Sequence, residues 1–337
     1  MAEKMYSKET SVKTDVNEDK KRETRVVGVV SGKGGVGKTT FSANLGIALN
    51  AFDKKTLIVD CNVTTPHLSY YMGVKNFSST INNIFAGELD ARFAPLDQNG
   101  VMFIPASERF EDLKRVNMKT LKNIIQQIVN TKKFDFIILD SAPGLGREAM
   151  GTLQACNEII FITTPTAPNV MDIARCDEVA RMLGHRKFYL VLNMVRGKAY
   201  ELWPEKAEEL FDMPVIGWIP FDENVMDSTA EGVPIMWYKP ESRSCDHFMF
   251  IAARLAGINL GEEPKLEEEF GEKLEGAEGR EETFSETVET LEPIIETANE
   301  YYYSKKEKKS GFRSRLRHKI DDTALSLANK IKDAIKR

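Results

Sequence analysis

A glycine-rich loop between an apolar run and a helical pattern constrains this chain more than any other feature. Residues 31–40 read SGKGGVGKTT, after the apolar run 26–30 and before a helical pattern over 41–49. Glycines let consecutive backbone N–H groups face one cluster of anionic oxygens, and the N-terminus of the following helix adds a favourable dipole. A strand, a glycine-rich loop and a helix in this order predict a phosphate-binding loop.

The residues of this loop have expected roles toward a nucleotide. Lys38 is expected to contact the β- and γ-phosphates, and the Thr39 hydroxyl is expected to ligate Mg²⁺. The predicted nucleotide-binding residues of the loop are Gly32, Lys33, Gly34, Gly35, Val36, Gly37, Lys38, Thr39 and Thr40.

The lysine at position 33, one residue after the first glycine, narrows the choice among families of P-loop proteins. With it the loop reads KGGVGKTT, which resembles the deviant Walker A motif of the MinD/ParA ATPases. The resemblance covers about residues 26–258 and implies ATP and Mg²⁺ as cofactors. It also implies that Lys33 reaches the phosphates bound by a second protomer, so that ATP holds a homodimer together.

Two apolar runs that end in aspartate predict the rest of the metal site. The run 56–60 ends at Asp60, and the run 134–140 ends at Asp140. An acid at the end of a parallel strand beside a phosphate-binding loop normally holds Mg²⁺ through water, so Asp140 resembles the Walker B acid. The predicted metal-binding residues are therefore Thr39, Asp140 and Asp60.

Three further positions are assigned by the resemblance. The segment 140–149, DSAPGLGREA, resembles the switch II segment of MinD-like proteins, in which Gly144 would offer a backbone N–H to the γ-phosphate. Asn193 follows an apolar run and matches the family position that hydrogen-bonds the edge of adenine. The segment around Pro220 matches the one that packs on the base in relatives.

One position departs from the family pattern. Many members end the second strand with Asp-x-Asp, and the second Asp positions the attacking water, whereas Asn62 stands there in this chain. An amide carries no charge and is a far weaker base than a carboxylate, so we predict slow hydrolysis. The predicted catalytic residues are Lys33, Lys38, Asn62, Asp140 and Gly144.

Length and patterning predict one α/β domain with appendages. Strand and helix patterns alternate over residues 25–261 of the 337-residue chain, which predicts a doubly wound, mostly parallel sheet with helices on both faces. The net charge of the whole chain is −5, which does not favour nucleic-acid binding. Four cysteines without C-x-x-C spacing favour reduced thiols and a cytoplasmic setting, and they argue against iron–sulfur relatives.

The flanking segments have their own composition. Residues 1–24 are polar and are predicted to be a disordered tail. Residues 262–310 are predicted to form an acidic, solvated linker followed by an amphipathic helix. Residues 311–337 are predicted to form a second helix, so the fold carries a C-terminal helical extension.

The last predicted helix is basic and amphipathic. Its apolar face consists of Phe312, Leu316, Ile320, Leu327, Ile331 and Ile335. Such a helix suits an anionic membrane surface, although the same pattern suits a helix that docks on its own domain or on a partner helix. MinD carries a C-terminal membrane-targeting helix, and this segment resembles a longer version of it.

The resemblance and the last helix together predict an ATPase that attaches reversibly to the inner face of the cell membrane. As an ATP-bound dimer it would position a protein partner, at the cell division site or in another assembly. Two other functions stay open: a ParA-like partitioning ATPase that binds non-specific DNA, and an ATP-stabilised scaffold with little hydrolysis. DNA binding would need the charges of the tail, whereas membrane binding also needs its apolar face.

Overall fold

In the computed structural model, eight strands form one sheet within the described part of the chain, which comprises residues 23–198 and 200–261 with Pro264 and Phe270. The strands are β1 (Arg25–Val30), β2 (Thr56–Asp60), β3 (Leu96–Gln98), β4 (Val101–Ile104), β5 (Phe136–Asp140), β6 (Glu158–Thr163), β7 (Phe188–Val195) and β8 (Val215–Pro220). Their order across the sheet is β3-β4-β2-β5-β1-β6-β7-β8. The pair β3–β4 is antiparallel, and every other neighbouring pair is parallel.

The central strands are buried on both faces. Every residue of β2, β5 and β6 is buried, as are all but the first residue of β1. Such strands need apolar side chains on both sides of the pleat, which is why they read in the sequence as continuous apolar runs instead of alternating ones.

Helices cover both faces of the sheet. The helices of the described residues are α1 (Lys38–Ala51), α2 (Leu68–Tyr71), α3 (Ile81–Phe85), α4 (Leu121–Val129), α5 (Arg147–Ala155), α6 (Ala167–Met182), α7 (Pro204–Phe211), α8 (Glu223–Ala230), α9 (Ile235–Tyr238) and α10 (Arg243–Ala256). One core cluster joins the sheet to α4, α5, α6 and α7, and a second joins it to α1, α9 and α10. This is the doubly wound architecture predicted from the sequence.

The position of β1 determines where a ligand can bind. It lies at the centre of the sheet, between β5 and β6, and the chain runs to β2 on one side and later crosses to β6 on the other. In doubly wound sheets the crevice at such a reversal, beyond the carboxyl ends of the strands, is the usual ligand site. The glycine-rich loop leaves β1 at this point.

The edge hairpin β3–β4 was not among the predicted strands. Asn99 and Gly100 join its two strands, and both residues have a positive φ, 52° and 83°. This is the backbone that a tight hairpin turn requires, and Asn-Gly is its usual sequence signal.

The predictions for the termini lie largely outside the described residues. The tail 1–24 is described at Glu23 and Thr24, and the segment 262–310 at Pro264 and Phe270. The predicted basic helix 311–337 lies outside altogether. Within the described ranges, no helix has the length and apolar character needed to span a bilayer.

Candidate nucleotide site

The glycine-rich loop turns sharply into α1. Gly35 and Gly37 have positive φ angles of 81° and 89°, and Gly37 is the N-cap of α1. A Cβ atom on Gly37 would lie 2.4 Å from Asn193 Nδ2, so glycine is required there for space as well as for backbone conformation. A Cβ atom on Gly35 would meet nothing within 4 Å. The loop is therefore close-packed on one side and open at Gly35.

The N-terminus of α1 is available to an anion. Within the described residues, no side chain forms a capping hydrogen bond there, and the first turn carries no acidic residue. The first four N–H groups of a helix have no partner within the helix, and the dipole favours negative charge at this end. This local structure matches the phosphate-binding role predicted for residues 32–40.

Lys38 lies buried inside the loop. Its Nζ donates a hydrogen bond to Ser31 Oγ at 2.7 Å, and Ser31 Oγ donates to the Lys33 carbonyl at 2.6 Å. Burial lowers the pKa of the Lys38 ammonium, and the nearby Asp140 carboxylate acts in the opposite direction. An ammonium that has lost much of its hydration in this position is suited to bind phosphate oxygens.

The predicted metal-binding residues are brought together. Thr39 Oγ1 donates to Asp140 Oδ2 at 2.7 Å, and Ser42 Oγ donates to Asp140 Oδ1 at 3.1 Å. Asp60 and Asp140 are paired in register at the ends of the neighbouring strands β2 and β5. Asp60 accepts the N–H groups of Asn62 and Leu68, at 3.0 and 3.2 Å.

The two carboxyl groups share an unfavourable electrostatic environment. Burial raises the pKa of Asp60 well above its ordinary value, and the nearby Asp140 raises it further. Burial also raises the pKa of Asp140, against the opposing hydrogen bonds from Thr39 and Ser42 and the charge of Lys38. Carboxylate and hydroxyl oxygens are the ligands of a hard divalent cation, so this donor set fits Mg²⁺.

Lys33 contacts its own domain. Its Nζ lies 3.2 Å from Asp172 Oδ2 on α6, and its side chain is 50% exposed. The contact is an ion pair instead of a directed hydrogen bond, because Asp172 Oδ2 has no hydrogen-bond partner of good geometry in the described residues. A Cβ atom on Gly32 would lie 2.2 Å from Asp172 Cβ, so the loop packs directly against α6.

The Gly144 N–H and the Asn62 side chain both form hydrogen bonds within the protein. Gly144 has a φ of 72°, and its N–H donates to the Ser31 carbonyl at 2.9 Å. This N–H would have to break its hydrogen bond to Ser31 before it could donate one to a γ-phosphate. The Asn62 amide closes a short turn: Nδ2 donates to the Thr65 carbonyl at 2.7 Å, and Oδ1 accepts from the Thr65 hydroxyl at 3.1 Å.

Asn193 and Pro220 lie at the ends of adjacent strands. Asn193 pairs with Ile219, and after a bulge Val195 pairs with Pro220. Met194 in the bulge has a φ of 60°, and Asn193 Nδ2 donates to the Val36 carbonyl at 2.7 Å. One donor of the amide thus joins β7 to the glycine-rich loop, and its other donor and its carbonyl oxygen remain available to a base.

Sequence reasoning missed two residues of this site. Ser42 stands three positions after Thr39 on α1, and this spacing places both hydroxyls on one helix face. The sequence could therefore have predicted that Ser42 lies beside Thr39 at the site. Asp172 lies far from the loop in sequence and on a helix that carries several charged residues, so no local pattern distinguished it.

Comparisons with known proteins agree with this geometry. The family model described as "ParA: NUBPL iron-transfer P-loop NTPase" matches residues 22–256. An uncharacterised ATP-binding protein of Methanocaldococcus jannaschii is 30% identical over 244 residues, which cover 72% of this chain and 92% of that protein. The septum site-determining protein MinD of Synechocystis is 30% identical over 245 residues, covering 70% and 91%.

A solved structure gives the same result for the fold. The septum site-determining protein MinD of Pyrococcus horikoshii, complexed with Mg-ADP, superposes with a TM-score of 0.65 at 31% identity. The superposition covers 69% of this chain and 96% of that one. The matched region coincides with the sheet, the glycine-rich loop and the helices described above, and the chain belongs to the MinD/ParA family of P-loop NTPases.

Proposed function

We propose that this chain is a MinD-like ATPase whose ATP-bound form is a dimer that attaches to an anionic membrane and positions a protein partner. The observation that carries the proposal is the position of Lys33. Its side chain is half-exposed at the surface of the glycine-rich loop, whereas Lys38 in the same loop is buried and bonds to Ser31. The two lysines therefore suit different nucleotides, one bound in this protomer and one in a second copy.

Residues of this chain have distinct roles in binding and hydrolysis. The N-terminus of α1 and Lys38 would hold the phosphates, and Thr39, Asp140 and Asp60, which lie together, would hold Mg²⁺. Mg²⁺, when bound, neutralises charge on the β- and γ-phosphates. The Asn62 backbone N–H donates to Asp60 Oδ1, and its side-chain amide would orient the attacking water by hydrogen bonding, but this amide accepts a proton poorly. Hydrolysis is therefore slow, and the dimer is long-lived.

The known relatives support this assignment. The Pyrococcus protein is named as a complex with Mg-ADP, the ligand chemistry that the Asp60–Asp140 site fits. That protein and the Synechocystis relative are both named septum site-determining proteins, which favours a role in cell division. Gly144 and the segment after it form the surface on which we expect an activating partner to dock.

Membrane attachment rests on the tail. The sequence of residues 311–337 predicts a helix with an apolar face and a basic face, which together would suit an anionic bilayer surface. A single helix of this kind binds weakly, whereas two helices on one dimer bind much more tightly because the second binds at a high effective concentration. ATP binding thus favours attachment and hydrolysis favours release, at the inner face of the cell membrane.

Co-sedimentation with anionic liposomes tests this function. The full chain and a chain that ends at Ser310 are mixed with vesicles of phosphatidylglycerol and phosphatidylcholine, in Mg-ATP and in Mg-ADP. We expect the full chain to pellet in Mg-ATP alone and the shortened chain to stay in solution. Pelleting of both chains, or of neither, would contradict membrane attachment through the tail. Retention of non-specific DNA by the full chain in ATP would instead favour the partitioning function.

A further inference from the structure

Phe270 packs against the loop that follows β7. It is 8% exposed, and its ring centroid lies 5.8 Å from that of Trp218 on β8. A Cβ atom on Gly197 would lie 2.6 Å from Phe270 Cγ, so the ring fits directly onto the bare backbone of this glycine. The composition of the surrounding segment predicts a solvated linker, and at Phe270 the structure places a buried side chain instead.

The loop beneath Phe270 is held by its own hydrogen bonds. The N–H groups of Arg196 and Lys198 donate to the Glu201 carboxylate, at 2.9 and 3.2 Å, and Glu201 is 5% exposed. Leu202 N–H donates to the Pro165 carbonyl at 2.8 Å. Gly197, with a φ of 68°, lies between these anchors. Phe270 covers the part of the loop that has no side chain of its own.

The same loop is continuous with the predicted adenine site. Gly197 lies shortly after Asn193, whose amide donates to the glycine-rich loop at Val36. The Arg196 guanidinium lies 3.5 Å from the centre of the Phe221 ring, and Phe221 N–H donates to Val195 at 2.8 Å. Gly197 is therefore connected through its neighbours in the chain to Asn193 on one strand and to the Pro220–Phe221 segment on the other.

We infer that Phe270 is a positioning residue for the adenine base, acting through Gly197 and the loop that follows Asn193. The inference rests on the proposed binding of ATP at this site. By packing on Gly197, Phe270 stabilises the loop conformation that presents Asn193 and Pro220 to the base. Coupling between two sites is reciprocal, so a bound base strengthens the packing of Phe270 in turn. The nucleotide is thereby linked to the chain beyond the ATPase domain.

Two ligands separate base contacts from phosphate contacts. Binding of Mg-ATP and of Mg-tripolyphosphate, which lacks the base and ribose, is measured by calorimetry on the full chain and on the variants Phe270→Ala and Phe270→Leu. We expect Phe270→Ala to weaken ATP binding roughly fivefold or more, with tripolyphosphate unchanged. Phe270→Leu, which keeps an apolar side chain on Gly197, is expected to recover most of the ATP affinity.

A matched control excludes a general loss of stability. Phe85 on α3 is partly buried against the same core cluster, and it belongs to a different part of the domain. Phe85→Ala is expected to lower the melting temperature and to leave the ratio of the two affinities unchanged. Equal weakening of both ligands in Phe270→Ala would assign Phe270 a merely structural role and overturn the inference.

Hydrogen exchange gives an independent readout. In the wild-type chain, Mg-ATP is expected to slow amide exchange over residues 194–198, at the end of β7 and in the loop after it, more than Mg-tripolyphosphate does, and Phe270→Ala is expected to abolish that difference. An unchanged ATP affinity in Phe270→Ala, with the wild-type chain binding normally, would overturn this inference alone. A wild-type chain that binds neither ligand would overturn the proposed function and this inference with it.

Discussion

Lys33 and Asp172 form an ion pair between the glycine-rich loop and α6, with 3.2 Å between Nζ and Oδ2. Lys33 is the lysine that the proposed dimer requires for the nucleotide of a second protomer. The conformation described here therefore neutralises this lysine within its own chain. The carboxylate and the phosphates of a second protomer are alternative partners for one ammonium, so dimer formation has to break the pair.

Weakening the ion pair is expected to favour the dimer. Asp172→Asn keeps the size of the side chain and its packing on Gly32 but removes the competing charge. Exposed ion pairs contribute about 0.2–1 kcal/mol each, and a symmetric dimer breaks two of them, so we expect the dimer to form at about twofold to about thirtyfold lower protein concentration in Mg-ATP. Sedimentation velocity over a concentration series measures this change.

A double mutant tests whether the effect passes through Lys33. In a Lys33→Ala background, Asp172→Asn is expected to have no effect on dimerisation, because the lysine that it releases is missing. An equal shift in both backgrounds would mean that Asp172 acts on the dimer by another route.

The buried carboxyl pair predicts a specific response to pH. Burial raises the pKa of Asp60 and Asp140 above the ordinary value of 3.8. The folded, nucleotide-free protein thus holds protons that the unfolded chain has lost, so this pair contributes stability that is lost as pH rises through the raised pKa values. At the proposed metal site Mg²⁺ would need the deprotonated pair, so its affinity is expected to rise as pH rises.

Thermal unfolding across a pH series, with and without Mg-ATP, measures how the stability of the free protein and its stabilisation by the ligand change with pH. As pH falls through the raised pKa values of the pair, we expect the stabilisation by Mg-ATP to shrink, while the pair's contribution to the nucleotide-free protein rises. Asp140→Asn removes one carboxyl group of the pair and is expected to flatten both trends. The prediction fails if the variant and the wild-type chain respond to pH in the same way.

The sequence was most informative where one segment carries its own structural signal. The phosphate-binding loop, and the strands that end at Asp60 and Asp140, were predictable because buried parallel strands read as continuous apolar runs. The family, and with it the fold, follows from that loop and its extra lysine. The hairpin β3–β4 has an Asn-Gly turn that could have revealed it.

Contacts between distant segments were not predictable in this way. Asp172 contacts Lys33 because α6 packs beside the loop, and nothing in the sequence near either residue predicts this contact. Phe270 lies in an acidic stretch whose composition indicates solvent, and its packing on Gly197 depends on a glycine far away in the chain. The roles of all the predicted site residues toward a nucleotide, those of Lys33, Lys38 and Asp140 as well as those of Gly144, Asn193 and Pro220, remain predictions.

Replacing Asn62 with aspartate is expected to accelerate hydrolysis. The variant supplies a carboxylate two residues after Asp60 and loses the donor that now bonds to the Thr65 carbonyl. General-base catalysis typically contributes about 10²–10⁴-fold, so we expect Asn62→Asp to raise turnover at least about tenfold. Phosphate release in Mg-ATP measures this, with Asn62→Ala as a control that opens the turn without adding a base. Similar turnover in all three proteins would refute the role assigned to Asn62.

Two adjacent tail residues distinguish a membrane from a nucleic acid as the tail's ligand. Ile320→Gln removes an apolar side chain without changing charge, and Lys319→Gln removes a charge from the basic face. On a membrane, burial of one isoleucine contributes about 1.5–3 kcal/mol and a surface lysine about 1 kcal/mol, so Ile320→Gln should weaken liposome binding more. On DNA, contact with phosphates depends on charge alone, so Lys319→Gln should weaken binding and Ile320→Gln should not. Measuring liposome binding and DNA binding of both variants at one salt concentration distinguishes a membrane ligand from a nucleic-acid ligand. Greater loss of liposome binding in Lys319→Gln would contradict insertion of the apolar face.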